Sequence, residues 1–353
     1  MLDLNPFKKE SLFYETIDSD KVRCGTCERR CIISEGRLGF CKTKINQKCR
    51  LYCLTYGNIS AISNNPIEKK PLYHFLPGSK ALTIGTWSCN FTCPFCQNWN
   101  ISKIPPMSNP SNFLSPDRFL ELLKKFNSQG TSFSLNEPTL LLEYANDVIN
   151  LTKPLGYYQT YVTNMYFTDA ALKHLIKIGC DAFCVNVKGD QSFYKKYCTT
   201  DLEIVWRNLQ NAKKLDAHIE VVTLIIPNEN DSEDTLREIA NKIKILLGED
   251  TPWHCNQYYP AYKAIEIGMT NHCTPVKTLE KAYKIGHDEG LNFVYIGNVH
   301  GHKLENTFCP SCETLLIERN IFGVKKNHLE GGRICPSCGK IIPIINTLNA
   351  IAN

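Results

Sequence analysis

Between Ala81 and Ile296, short runs of β-branched and aromatic residues alternate with longer stretches in which apolar residues recur every three or four positions. The first pattern is that of buried strands, the second that of helices with one apolar face. Strands are predicted over 81–86, 131–135, 158–163, 182–188, 218–226, 253–259 and 292–296. Helix starts are marked between them. Ser115 followed by Pro116 supplies an N-cap and a proline at the first helical position, ahead of Phe119, Leu120, Leu123 and Phe126. Thr168 caps a helix carrying Leu172, Leu175 and Ile176 that stops at Gly179, and Asp231 or Ser232 opens one that stops near Gly248.

Strands joined by helical crossovers pair in parallel and wind right-handed. The pattern is therefore α/β, and it leaves two architectures open: an open doubly wound sheet or part of a barrel. In both, chemistry belongs to the loops at the carboxyl ends of the strands. Alternation along 182–188 puts Phe183, Val185 and Val187 on one face and Cys184, Asn186 and Lys188 on the other.

Composition adds little until cysteine is counted. The 353 residues are 43% apolar and 21% charged, enough for one large core with small appended modules, and the net charge of +5 is a mild excess. No run approaches the roughly 18 to 20 apolar residues that cross a bilayer, and the first residues lack the apolar centre of a signal peptide. A cytoplasmic protein is expected. There thiols stay reduced, so the 18 cysteines point to metal binding or catalysis rather than to disulfides.

Eleven of those 18 fall into three groups: Cys24, Cys27, Cys31 and Cys41; Cys89, Cys93 and Cys96; and Cys309, Cys312, Cys335 and Cys338. The other seven, Cys49, Cys53, Cys180, Cys184, Cys198, Cys255 and Cys273, show no ligand spacing and read mostly as small core hydrophobes. In the last group two C-P-S-C knuckles stand 22 residues apart, close to a zinc ribbon, where four thiolates close the tetrahedron around a structural ion. The first group, C-x2-C-x3-C-x9-C with Gly39 available to turn the chain into its last member, also has four thiols. Zinc and an auxiliary iron–sulfur cluster both suit it, with zinc ahead because the spacing is not ferredoxin-like.

The middle group sits in a loop that follows an apolar strand, as C-x3-C-x2-C. Three thiolates hold three irons of a cubane and leave the fourth open to a ligand. On spacing alone, a three-cysteine zinc site completed by a distant residue is the competing reading.

This loop, with Phe95 directly before its last cysteine, resembles the signature of the radical S-adenosylmethionine (SAM) superfamily. The resemblance runs from about Val22 to Arg319 and is to one branch, the radical enzyme of the AmmeMemoRadiSam system, itself similar to the activating enzymes of glycyl radical enzymes. It is carried by VRCGTCERRC at 22–31, NPIEKKPLYHFLPGS at 65–79, TWSCNFTCPFCQNW at 86–99, NEPT at 136–139, VTN at 162–164 and GNVHGHKLENTFCPSCETLLIER at 297–319. It implies a partial, open (β/α)6-type TIM barrel of the radical SAM type over 79–300. Small cysteine-rich metal modules would flank it, an N-terminal one over 1–78 and a zinc ribbon over 301–353.

The same resemblance implies a 4Fe-4S cluster on Cys89, Cys93 and Cys96 whose open iron binds SAM. Cleavage of SAM to a 5'-deoxyadenosyl radical and hydrogen abstraction from an unidentified substrate, a protein or RNA, would follow. Phe95, Asn136, Glu137, Asn164, Asn186 and Lys188 are the expected cofactor contacts, all near carboxyl ends of strands. Two departures stand out. Leu135-Asn136-Glu137 replaces the Gly-Gly-Glu of activating enzymes, so Asn136 or nearby backbone must take the cofactor's amino group. Asn186-Val187-Lys188 replaces Asp-x-Lys, keeping hydrogen bonding and losing a negative charge. Lys188 offers its charge to a carboxylate or a substrate anion, unless it only reaches from the strand end into solvent.

An electron donor and proteins of the Memo and AMMECR types are the expected partners. A rival of another class, a zinc-binding RNA- or protein-interaction module without radical chemistry, draws on the two cysteine fours and 16 tyrosines. Its basic pairs, such as Lys8-Lys9 and Lys195-Lys196, are scattered as on any solvated surface.

Overall fold

The strands and helices of the hydrophobic pattern form in chain order in the computed structural model, which describes residues 6–107, 109–320 and 322–347. The outer ends of the two expected terminal modules, 1–5 and 348–353, lie outside the described residues. Seven strands carry the repeat: β1 (Lys80–Gly85), β2 (Gly130–Phe133), β3 (Tyr158–Thr163), β4 (Ala182–Asn186), β5 (His218–Ile225), β6 (Trp253–Gln257) and β7 (Val294–Gly297). Between them run α1 (Pro116–Lys125), α2 (Leu142–Thr152), α3 (Asp169–Lys177), α4 (Leu202–Lys214), α5 (Glu233–Leu247) and α6 (Val276–Asp288). Several strands stop short of their predicted carboxyl ends. The chain leaves β2 through Leu135 at φ 75° and leaves β4 before Gly189, so the polar residues beyond are loop rather than strand.

The helix starts follow the capping chemistry. Ser115 and Thr168 each accept a backbone N–H of the first turn, from Arg118 and Ala171, and of the two residues considered at the start of α5 it is Ser232 that accepts, from Thr235. Phe126, expected on the apolar face of α1, instead caps the helix and is 44% exposed, while Phe119 and Leu123 carry the burial.

The chain divides into two compact units. The first takes the segments up to Asn64, Ala81–Thr92 and Asn98–Asp181. In it β1, β2 and β3 pair in parallel and in sequence order. Gly130 permits the close pairing, because a Cβ there would meet the Tyr158 ring at 2.2 Å. The N-terminal residues add two small antiparallel sheets, Tyr14–Thr16 with Lys21–Cys24 and Ile32–Ser34, and Lys9–Glu10 with Arg50–Cys53 and Lys44–Gln47. Val22, Cys24, Ile33 and Leu51 form their core.

These sheets are tied to the helices of their unit by polar bonds. The Lys44 ammonium lies 2.6 Å from Glu143 of α2, with side chains 1% and 0% exposed. Burial alone would lower the lysine's pKa, but the Glu143 charge holds it above its ordinary value. Thr168 Oγ1 donates to the Gly25 carbonyl at 2.6 Å while capping α3.

The second unit takes Asn65–Lys80, Cys93–Gln97 and the chain from Ala182 onward. Here β4, β5, β6 and β7 are again parallel and in sequence order. A doubly wound sheet reverses its strand order at a switch point, whereas a (β/α) barrel wall adds strands in succession, and succession is what both units show. Glu220 on β5 is fully buried and accepts from the His74 backbone N–H and from the rings of His218 and His254. Burial opposes its charge, but the two ring bonds hold the carboxyl well below its usual range. The His74 ring bonds the Tyr295 hydroxyl, and burial pushes its pKa down to about 3, so it is neutral. Tyr73, Phe293 and Tyr295 pack with Leu316, Ile317, Ile342 and Ile344 of the C-terminal segment.

Candidate active site and cysteine modules

The loop leaving β1 is held by side chains of its own unit. Asn136 Oδ1 accepts from the Thr86 N–H at 3.0 Å, and its Nδ2 donates to the Ser88 carbonyl at 2.8 Å. Ser88 sits at φ 68° and donates its hydroxyl to the Cys41 carbonyl. The Phe91 N–H points to Cys89 Sγ at 3.4 Å. Glu137 is 1% exposed and spends both oxygens: Oε1 accepts from Thr139 and Thr163, and Oε2 from the Asn164 N–H. Burial raises its pKa against the pull of these bonds. Asn164 Nδ2 in turn donates to Asn90 Oδ1 at 2.7 Å.

Asn136, Glu137 and Asn164 therefore converge on the segment that carries Cys89. They do so as struts. The amide of Asn136, expected to receive the cofactor's amino group, has both its ends on backbone of the loop.

Cys93, Phe95 and Cys96 belong to the second unit, with Asn186 and Lys188. Phe95 is buried against Phe193 and Tyr197, with ring centroids 5.5 and 6.2 Å away. The Pro94 carbonyl accepts the Lys263 N–H at 3.0 Å. Lys188, in the loop beyond β4 rather than on its face, donates its ammonium to Asn186 Oδ1 at 3.4 Å. Both backbones are pinned, Asn186 by the Tyr194 hydroxyl and Lys188 by Asn230.

One neighbour escaped the sequence reading. Cys198 is fully buried, as its reading as a small core hydrophobe expects, and it also places its sulfur 3.6 Å from that of Cys93. It ends a π-helical turn, Tyr194–Cys198, followed by Thr199 at φ 53°. Such turns are frequent at functional sites, yet at 105 residues from its neighbour no spacing rule points to it.

The two cysteine fours differ in geometry. The sulfurs of Cys309, Cys312, Cys335 and Cys338 all lie within 4.8 Å of one another, with Cys309 to Cys338 and Cys312 to Cys335 both at 3.6 Å. Four thiolates about 2.3 Å from one zinc ion would stand about 3.8 Å apart. Each knuckle turns on a left-handed residue after its second cysteine, Glu313 and Gly339. Hydrogen bonds with Thr314 lower the exposed Cys312 thiol to about 6, which favours the thiolate a metal takes.

Cys24, Cys27, Cys31 and Cys41 instead line one small cavity, together with Arg29, Ile33, Gly39, Phe40, Lys44 and Asn90. Gly39 does not supply the turn expected of it. A Cβ there would press on Ile33 at 3.0 Å, and the left-handed residue of that turn is Lys42.

Comparison with known proteins now bears on this site. Residues 84–240 match the Radical SAM superfamily model. The chain is 40% identical over 338 residues to Uncharacterized protein MJ0808 of Methanocaldococcus jannaschii, covering 96% of this chain and 99% of that protein. A second protein of the same organism, MJ0674, is 27% identical over 293 residues, 77% of this chain and 76% of its own length. Among solved structures, a radical SAM methyltransferase from Sphaerobacter thermophilus aligns at TM-score 0.49 and 10% identity, over 63% of this chain and 67% of that one. A domain of pyruvate-formate lyase-activating enzyme from Bacteroides vulgatus aligns at 0.42 and 17%, over 48% of this chain and 100% of that one. The interaction-module reading finds no support in these matches. A C-x3-C-x2-C loop at the end of the first parallel strand, inside the matched segment, places the chain in the radical SAM superfamily, as an enzyme of the family that includes MJ0808.

Proposed function

We propose that Cys89, Cys93 and Cys96 ligate a 4Fe-4S cluster at which SAM is reductively cleaved, and that hydrogen is then abstracted from a macromolecular substrate. The observation that carries the reading is the donor set. Three thiols come from one loop at the carboxyl end of β1, where a barrel gathers its chemistry, and soft thiolates are the ligands that cluster iron prefers. When bound, the cluster supplies one electron to the cofactor.

The chain's own residues do the holding. In the first unit Asn136, Glu137 and Asn164 fix the segment that carries Cys89, and in the second Phe95, between Cys93 and Cys96 in sequence, packs on Phe193 while Lys188 with Asn186 offers a cation and an amide. We further propose a (β/α)6-type core over 79–300 between modules 1–78 and 301–353, with structural zinc on Cys309, Cys312, Cys335 and Cys338. Membership of the AmmeMemoRadiSam system, with Memo-type and AMMECR-type partners, an electron donor and a cytoplasmic setting, belongs to the same reading. Among the described residues no helix is long and apolar enough to cross a membrane.

The test is anaerobic reconstitution followed by assay for 5'-deoxyadenosine and methionine. Cys89→Ala, Cys93→Ala and Cys96→Ala should each abolish cleavage and deplete iron. Lys188→Ala should weaken cleavage and leave iron unchanged. Wild-type cleavage by Cys93→Ala would refute the cluster assignment. Deuterium moving from a labelled candidate partner into 5'-deoxyadenosine would identify the substrate.

A further inference from the structure

We propose that Cys24, Cys27, Cys31 and Cys41 hold a second iron–sulfur cluster rather than a zinc ion. Their sulfurs share one cavity, yet among the described residues only the C-terminal four draw three or more ligand atoms within 4.8 Å of one another. A single zinc ion demands that tight knot, whereas a cluster holds its cysteines further apart because several irons and sulfides stand between them.

The lining suits anionic sulfur. Asn90 is fully buried, and its Oδ1 accepts from Asn164, which turns its Nδ2 donor the other way. That donor meets no oxygen or nitrogen acceptor and is turned toward the Cys27 sulfur. The Thr26 hydroxyl, 1% exposed, likewise meets no oxygen or nitrogen acceptor and is turned toward the Cys24 sulfur. A neutral thiol is a weak acceptor for a buried donor, and sulfur that carries the charge of a cluster is a stronger one. Arg29 and Lys44 bring positive charge to the same lining, against the negative charge of four thiolates. Gly39 lets the strand bearing Ile33 approach beside Cys31, where a side chain would fill the space. Asn90 is also the residue after Cys89, so the cavity wall includes a residue of the loop that carries the proposed catalytic cluster.

Metal and sulfide counts on the full-length chain test the inference. After anaerobic reconstitution, the triple variant Cys89→Ala/Cys93→Ala/Cys96→Ala should keep iron with an equal amount of sulfide, and about one zinc per chain. Adding Cys27→Ala should remove that iron and leave the zinc. A triple variant without iron but with about two zinc ions per chain overturns the proposal. Should the triple variant fail to fold, the wild type decides: more than about four irons with about one zinc supports the second cluster, and about four irons with two zincs refutes it. Failure of the radical reading looks different, since iron would then depend on Cys27 alone while no SAM is cleaved.

Discussion

The two four-cysteine modules use the same residue type in the same number and arrive at opposite constructions. At the C-terminus, Cys309 and Cys335 are core residues as well as proposed zinc ligands, packed with Leu316, Ile317 and Tyr295, and the sulfurs are already in contact. At the N-terminus, Cys24 is also a core residue, beside Val22, Ile33 and Leu51, but the four thiols border a cavity instead of meeting, and bonds that involve no thiol, Lys44 to Glu143 and Thr168 to Gly25, tie the module to the helices of its unit. Ligand count alone does not say what a module binds or what holds it together. The spacing of the sulfurs, and the polar groups left over around them, do.

The harshest way to break this contrast is to reconstitute both modules with the metals proposed for them and then chelate. Chelation, or Cys335→Ser, should open the ribbon strands Leu315–Asn320 and Gly323–Asn327, because structural zinc contributes on the order of 10 kcal/mol of folding free energy. The sheets around Val22 and Leu51 should keep their hydrogen-exchange protection. Equal loss of protection in both modules would erase the distinction.

The next effect in size concerns the N-terminal anchor. Lys44→Met leaves Glu143 charged and buried, and should cost about 3 to 5 kcal/mol in urea unfolding. Lys44→Met/Glu143→Leu should recover most of that, since a well-packed apolar pair avoids the desolvation of two ions. A double variant as unstable as the single one would show that the anchor is more than a charge pair.

Acid should act on the second unit. His74 is held at about 3 in the fold against 6.5 when unfolded, so the unfolded chain binds the extra proton across that window. Stability must therefore fall as the pH drops from about 6.5 toward 3, by at most about 1.4 kcal/mol per pH unit from this ring. Glu220, whose pKa is depressed, adds loss in the same direction once the pH passes below the ordinary carboxylate value of 4.5. Denaturation midpoints for the wild type and His74→Gln, taken at saturating zinc, separate the histidine's share. An unchanged slope in the variant would assign the acid response elsewhere.

The smallest effect expected is at Thr168. Its hydroxyl caps α3 and also donates to Gly25 in the N-terminal module, so Thr168→Ala should lower stability by about 1 to 2 kcal/mol. Thr168→Ser, which keeps the oxygen, should restore it.

Much of this molecule was readable along the chain because the signals are local. A serine before a proline caps α1, short runs of β-branched and aromatic residues mark the strands, and two C-P-S-C turns spaced like a ribbon bring their sulfurs together, since a knuckle's geometry is set by the few residues it contains. The loop of Cys89, Cys93 and Cys96 belongs to the same class, and its resemblance to the radical SAM signature agrees with the matched segment 84–240.

What the sequence left open depends on contacts between residues far apart in it. Sheet or barrel was decided by strand order, which hydrophobic periodicity does not encode. Asn136 had the right place for a cofactor contact, but only the fold revealed that both ends of its amide are taken by the backbone at Thr86 and Ser88. Cys198 looked like filler until the chain returned it to Cys93, 105 residues away. Asn90 carried no motif at all, and became a buried donor facing a thiol because Asn164 fixed the other end of its amide. Local rules fix turns, caps and knuckles by sterics and short-range hydrogen bonding; which side chains meet is settled by tertiary packing, where burial leaves each polar atom to find a partner from whatever the fold brings near.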